Sequence, residues 1–253
     1  MTVFLVGAGP GDPGLITVRG LELVRRCEAL VYDTLVAEDL VAEARQASFA
    51  VSRAGMRQEE IDELLVSLGR RGLESVRLKG GDPLLFGRGG EEALALAAAG
   101  VPFEIVPGVS ALSAVPAAAG IPVTHRGVSA QVTVVSGHSA DGSALDYDAL
   151  ARAPGTLVVF MGLRRLGELA AELVAHGRNS ATPVAVVSAG TTPEQEVVVA
   201  TLADIAERAE GLAQPALVVV GDVVSLGLVD GNSSALASDL AAAVARVDRA
   251  RAA

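Results

Sequence analysis

Short runs of β-branched and apolar residues alternate along this chain with stretches in which apolar positions recur every three to four residues. Thr2–Val6, Ala29–Tyr32, Ser48–Val51, Ser75–Leu78 and Phe103–Val106 read as strands. Between them helical spacing runs over 15–27, 58–69 and 90–99, then over 110–119, and Thr17 is a good N-cap for the first helix. That alternation predicts a largely parallel sheet covered on both faces. The order changes near Gly120-Ile121-Pro122 and Arg126-Gly127. Further on, strands are expected at Gln131–Val135, Thr156–Met161, Pro183–Ser188, Glu196–Ala200 and Ala216–Val220, with helices near 163–176 and 202–210. The strands within 183–200 are joined across Gly190-Thr191-Thr192-Pro193 and look like a hairpin, so the second sheet should be mixed. The fold class is therefore α/β with two α/β domains, 1–120 mainly parallel and 121–230 mixed, hinged near 120–127. The Ala-rich tail 231–253 is expected to be helical or partly disordered.

Composition narrows the class. A chain of 253 residues with 51% hydrophobic content can bury one large core or two smaller ones. No apolar run reaches the length of a membrane span, and the N-terminus enters a strand without a basic segment before it, so neither a membrane nor a signal peptide is expected. Cys27 is the single cysteine, which excludes an internal disulfide, fits a reducing compartment and places the protein in the cytoplasm; its position late in a helix suits a core residue. The net charge of −10 argues against nucleic acid as a partner. Lys79 is the only lysine among 20 basic residues; the rest are arginines, the better residue for carboxylate recognition, although a GC-rich genome produces the same skew.

The candidate chemistry sits in glycine-rich loops after strands, where ligands of open α/β sheets bind. Arg77 to Glu92 holds five glycines and a rigid Asp82-Pro83, then enters a helix with Glu91 and Glu92 in its first turn, where the helix dipole favours them. Gly80 and Gly81 would let backbone approach a ligand closely. After the first strand, Gly9, Gly11 and Gly14 formally satisfy G-x-G-x-x-G, and Asp33 stands near the place of a ribose-binding acid. Pro10 and Pro13 remove two amide donors, however, and the helix begins only near Thr17, so a dinucleotide is disfavoured. Three scattered histidines have no metal-ligand spacing, and Ser110 with them forms no nucleophile arrangement, so no metal is expected.

These motifs resemble the tetrapyrrole (corrin/porphyrin) methyltransferase family. The resemblance runs from Val3 to about Val224 and rests on seven segments in the family's order. They are the proline loop Val6–Gly14, Val31-Tyr32-Asp33, Arg77–Glu92, Val106–Ala111, Gly120–Arg126, Phe160-Met161-Gly162 and Ala189-Gly190-Thr191. Lys79-Gly80-Gly81-Asp82-Pro83 followed by Phe86-Gly87-Arg88-Gly89-Gly90 is similar to the uroporphyrinogen-methylating branch.

The resemblance implies S-adenosylmethionine held in a cleft between the two domains, S-adenosylhomocysteine as product, a homodimer, and methylation of uroporphyrinogen III at carbon, twice, through precorrin-1 to precorrin-2 on the way to sirohaem and cobalamin. By motif position Pro10, Gly80, Gly81, Asp82, Leu85, Ser110, Ala111, Met161 and Gly190 would line the cofactor site, with Asp82 toward its cationic end or ribose, and Asp33 would accept the proton. A substrate with eight carboxylates calls for arginines. Arg19, Arg53, Arg88 and Arg126 are the substrate-binding candidates, with Arg57 and Arg77 also considered, while His125 is read as packing at a turn. One segment departs from the family: Ser52 stands where it usually carries lysine, and about three residues are missing before Gln58. Serine cannot act as an ammonium acid, and Arg53 is too basic to trade protons. Two alternatives therefore stay open: methylation of another tetrapyrrole or a different acceptor, and a catalytically impaired protein that binds S-adenosylmethionine or a tetrapyrrole.

Overall fold

The computed structural model describes residues 1–138 and 145–227; the tail expected over 231–253 lies outside them. Two compact units divide the chain, Met1–Ala111 and the part from Leu112 onward. In the first, β1 (Val3–Gly7), β2 (Ala29–Tyr32), β3 (Phe49–Ser52), β4 (Ser75–Lys79) and β5 (Phe103–Val106) form a sheet in the order β3-β2-β4-β1-β5. Every pairing in it is parallel. The connecting helices are α1 (Val18–Arg26), α2 (Glu38–Ala42), α3 (Gln58–Arg70) and α4 (Gly89–Ala98).

Both faces of the inner strands β1, β2 and β4 are buried, as parallel strands require. Val6, Leu30, Val76 and Leu78 pack with Leu23 and Val24 of α1 on one face. Leu5 and Val31 pack with Ile61 and Leu65 of α3 and Leu96 of α4 on the other. Strand alternation puts Ser75, Arg77 and Lys79 of β4 on that second face, in register with Leu5 and Gly7. Two cations thus enter an apolar layer and must find carboxylates there. Thr17 caps α1 as expected, its Oγ1 accepting the Gly20 N–H at 3.1 Å.

Cys27 ends α1 fully buried, and its thiol donates to the Val24 carbonyl at 3.2 Å. Burial pushes this thiol from 9.0 up to about 11, with the nearby Glu74 charge adding to the effect. The folded thiol stays neutral where the unfolded one ionises, so its contribution is complete below pH 9 and is lost as pH rises toward 11. That contribution is about 2–3 kcal/mol for a two-unit shift. Alkaline denaturant titrations should therefore show a steeper stability loss for the native protein than for Cys27→Ala across this window; parallel curves would refute the burial effect.

In the second unit α5 (Ala111–Ala118) leads to β6 (Val132–Ser136), α6 (Tyr147–Arg152), β7 (Thr156–Phe160) and α7 (Leu166–Ala175). The hairpin of β8 (Pro183–Ser188) and β9 (Glu196–Thr201) follows, then α8 (Ile205–Arg208) and β10 (Ala216–Val220). The sheet order is β6-β7-β10-β8-β9, with β6 and β7 parallel and the remaining pairs antiparallel, so it is mixed. Leu157, Val159, Val184 and Val218 pack against Leu169 and Leu173 of α7 as its core. Among the described residues no helix is long and apolar enough to cross a membrane.

Candidate functional site

Three glycine-rich loops of the first unit meet at the carboxyl ends of β1, β4 and β5. A Cβ on Gly7 would lie 2.4 Å from the Gly108 Cα, and one on Gly108 would lie 2.2 Å from the Gly81 carbonyl oxygen. No side chain fits at either position. The Gly81 N–H donates to the Gly9 carbonyl at 2.7 Å, tying the proline loop to the β4 loop. Asp82 completes the join: its Oδ1 accepts the Leu84 N–H at 2.9 Å and its Oδ2 accepts the Gly108 N–H at 3.1 Å. The Asp82 carboxylate is therefore a clip between two loops, a role the sequence did not reveal. A carboxylate keeps acceptor sites beyond those two bonds. Asp82→Ala is expected to remove about 1–3 kcal/mol of stability and to weaken cofactor binding; a melting curve and calorimetry with S-adenosylhomocysteine check both.

The glycines of this cluster have different physical causes. Gly81 has φ +66°, which disfavours any other residue. Gly80 has neither a positive φ nor a crowded Cβ position, the nearest atom being Leu35 Cβ at 3.7 Å. Nothing inside the described protein demands glycine there. A glycine whose Cβ position is uncrowded is what close approach of a ligand to the backbone would call for.

Asp33 follows β2 at the same end of the sheet. Its Oδ1 accepts from Arg77 Nη2 at 2.5 Å and its Oδ2 accepts the Gly80 N–H at 3.3 Å. Arg77 also donates through Nε to Glu92 Oε1 at 2.9 Å and through Nη1 to the Leu78 carbonyl at 3.3 Å. Lys79 Nζ donates to the same Glu92 Oε1 at 2.9 Å. Glu92 Oε2 is also 2.9 Å from Nζ but lacks hydrogen-bond alignment, so charge alone holds it. The Arg77, Lys79 and Glu92 side chains are at most 1% exposed, against 19% for Asp33. Burial is the main cause that lowers the Lys79 pKa, followed by the Arg77 charge; Glu92 and Asp33 oppose it. Sequence reasoning missed this network. Arg77, considered there for the substrate, is corrected: a guanidinium buried between two carboxylates is not free to receive another.

The other candidates are scattered. Pro10 adjoins Gly9 in the joined loops, Leu85 is half-buried in the β4 loop, and a Cβ on Gly81 would lie 3.9 Å from the Ala111 N, which puts the Ser110-Ala111 segment beside that loop. Arg19 is paired with Glu104, Arg57 with Glu60 and Arg88 with Glu91. Arg53 and Arg126 have no ion pair among the described residues. His125 was expected to pack; it is exposed, its Nδ1 2.9 Å from the Arg126 carbonyl oxygen. Ser52 ends β3 and its hydroxyl accepts the Ala54 N–H at 3.2 Å, while its side lines a cleft of about 550 Å³ with Tyr32, Thr34, Val36, Glu38 and Val41.

Within the second unit, Met161 directly follows β7 with φ +54° and is 49% exposed. Gly190 is buried in the hairpin turn, where a Cβ would meet Val115 of α5 at 2.5 Å. Gln195 pins this turn, accepting the Thr191 N–H at 2.8 Å and donating to the Ala118 carbonyl at 3.3 Å. Among the described residues, the non-glycine positions with positive φ are Phe86, Arg88, Met161, Ala189 and Thr191. All five lie in motifs singled out from the sequence. Each costs about 1–3 kcal/mol, and such strain persists mainly where a site depends on it. Among the described residues no cluster of metal-ligating side chains occurs.

The family described as Tetrapyrrole (Corrin/Porphyrin) Methylases matches residues 2–206. A siroheme synthase from Yersinia enterocolitica is 50% identical over 231 residues, covering 88% of this chain and 49% of that protein. The chain thus spans about half the length of such relatives. A uroporphyrin-III C-methyl transferase from Thermus thermophilus, solved in complex with S-adenosylhomocysteine, is 42% identical with a TM-score of 0.79, covering 89% of this chain and all of that one, 100%. A cobalt precorrin-4 methyltransferase is 30% identical with a TM-score of 0.81, covering 88% and 95% of the two chains.

Proposed function

The chain belongs to the tetrapyrrole (corrin/porphyrin) methylase family, and we propose that it transfers methyl groups from S-adenosylmethionine to carbons of uroporphyrinogen III, twice, giving precorrin-2. The observation that carries this reading is Gly80, a glycine with neither positive φ nor a crowded Cβ position, hydrogen-bonded to the Asp33 carboxylate. One backbone position thus touches both the proposed cofactor loop and the proposed base.

The residues fit the cofactor. A nucleoside binds to backbone amides and carbonyls with apolar walls, which the Gly80–Asp82 loop, Pro10, Leu85, Ser110 and Ala111 supply in the first unit. By motif position Met161 and Gly190 are also assigned to the cofactor. When bound, S-adenosylmethionine supplies a sulfonium methyl that an electron-rich pyrrole carbon can take, leaving the electron pair on sulfur. The methylated ring is then cationic and must lose a proton, and Asp33 is the partly exposed carboxylate placed to accept it. Arg53 and Arg126 suit the substrate's carboxylates best, because the guanidiniums of Arg19 and Arg88 are engaged. We also propose that the protein is a cytoplasmic homodimer serving sirohaem or cobalamin synthesis; the lone buried Cys27 supports a reducing compartment.

Gly80→Ala should fold with stability within about 1 kcal/mol of the native protein, while its affinity for S-adenosylhomocysteine falls about tenfold or more, a loss of at least ~1.4 kcal/mol. Unchanged affinity would remove the observation on which the reading rests. The activity itself is tested with enzymatically made uroporphyrinogen III and methyl-labelled cofactor. Two methyls incorporated support the proposal. The Ser52 segment favours one competing outcome, methylation of a different acceptor, which incorporation into another tetrapyrrole would reveal.

A further inference from the structure

Nothing in methyl transfer itself requires a buried Arg77–Glu92–Lys79 network, and its geometry limits what it can do. It is not a proton relay, because arginine does not deprotonate in proteins and stands between Asp33 and the other two. It does not receive substrate, because its three side chains are at most 1% exposed. It reaches the solvent-facing side only through Arg77 Nη2 and the Asp33 carboxylate.

We propose that Arg77 is the positioning residue for Asp33, and that Glu92 and Lys79 fix Arg77 in turn. The inference rests on the methyltransferase reading, in which Asp33 takes the proton. Each nitrogen of the guanidinium has its own acceptor: Glu92, the Leu78 carbonyl and Asp33. A planar fork held at two points has no freedom left at the third. Asp33 is then held at each oxygen by a different donor, Arg77 at one and Gly80 at the other. Its rotation is blocked, and lone pairs remain on both oxygens for a substrate proton. Because Arg77 and Gly80 lie three residues apart on one strand and its loop, the same segment that presents the cofactor backbone aims the base.

The test is Arg77→Lys, which keeps the charge beside Glu92 but cannot reproduce the three-point fork, made in the native protein and in Asp33→Asn. In the native background kcat should fall about a hundredfold, the cost expected of a base misplaced by about 1 Å. KM for S-adenosylmethionine should change less than about threefold, because no cofactor contact is lost. In the Asp33→Asn background the same substitution should change kcat less than about twofold, since the group it aims is gone. Should Arg77→Lys not fold, Glu92→Asp retracts the carboxylate by one methylene without removing charge, and the same coupling to Asp33 is expected. Equal losses of kcat in both backgrounds, or a folded Arg77→Lys enzyme at native kcat, would overturn the positioning role while leaving the methyltransferase intact. A native protein that transfers no methyl would overturn the functional reading and this inference with it.

Discussion

Glu92→Ala is expected to lower the unfolding free energy by about 3–5 kcal/mol, the range found when one partner of a buried ion pair is deleted. Against a typical total of about 5–15 kcal/mol, this places the protein near its stability threshold. The size follows from what remains. Arg77 and Lys79 stand side by side on β4 in an apolar layer, and Glu92 bonds to both. Without it, Asp33 is the only anion left to them in the network, and of the two cations it pairs directly only with Arg77. Glu91, one residue earlier on α4, is the control: its pair with Arg88 is 54% and 49% exposed and should contribute about 0–1 kcal/mol. The variant should also respond to alkali in a defined direction. Burial already lowers the Lys79 pKa from 10.5, and loss of Glu92 removes a group that raises it. The unfolded chain then holds a proton that the folded one sheds, so stability should recover as pH rises toward 10.5. Urea titrations of Glu92→Ala and Glu91→Ala at neutral and alkaline pH would decide; a Glu92→Ala loss near that of Glu91→Ala would mean the network is not a structural unit.

That network also marks where the sequence stopped being legible. The strand Ser75–Leu78 was visible, but Lys79 was placed in the loop after it and Arg77 was considered for the substrate, so the row Ser75, Arg77 and Lys79 on one face of β4 was not seen. The same reading predicted a sheet covered on both faces, and in such a sheet the row has no solvent to face. Charges there demand carboxylates, and Glu92, seen only as a partner of the helix dipole, was the nearest supply. The ten strands expected were found within a residue at each end, because buried strands are marked by continuous β-branched runs. The short helices α2 and α6 were not anticipated, since five or six residues hold less than two periods of a 3.6 repeat. Glycine positions were legible as a group and opaque as individuals. Gly7 and Gly108 answer to each other across β1 and β5, a contact of high sequence separation that no local pattern encodes. With those accounted for, Gly80 is left, with Gly90 of the same motif, as a glycine with neither a positive φ nor a crowded Cβ position.

Asp33→Asn is expected to reduce methyl transfer by about 10²–10⁴-fold, the usual contribution of a positioned base, with a much smaller effect on cofactor affinity. Asparagine has nearly the same shape but only one acceptor oxygen. Aspartate here accepts on both oxygens, from Arg77 and from Gly80. One of those bonds must fail, for a stability loss of about 1–3 kcal/mol. If the oxygen stays with Arg77, the amide of asparagine faces the Gly80 N–H and disturbs the cofactor loop slightly. If it stays with Gly80, the loop is undisturbed and Arg77 loses a partner. In both arrangements the side chain has no charge with which to take a proton, so kcat should fall far more than cofactor affinity. Single-turnover transfer from methyl-labelled S-adenosylmethionine, paired with calorimetry, separates the two effects. Transfer within about tenfold of native in Asp33→Asn would show that the proton leaves to another acceptor. Glu38, lining the cleft beside Tyr32 and Thr34, would then be the next carboxylate to replace.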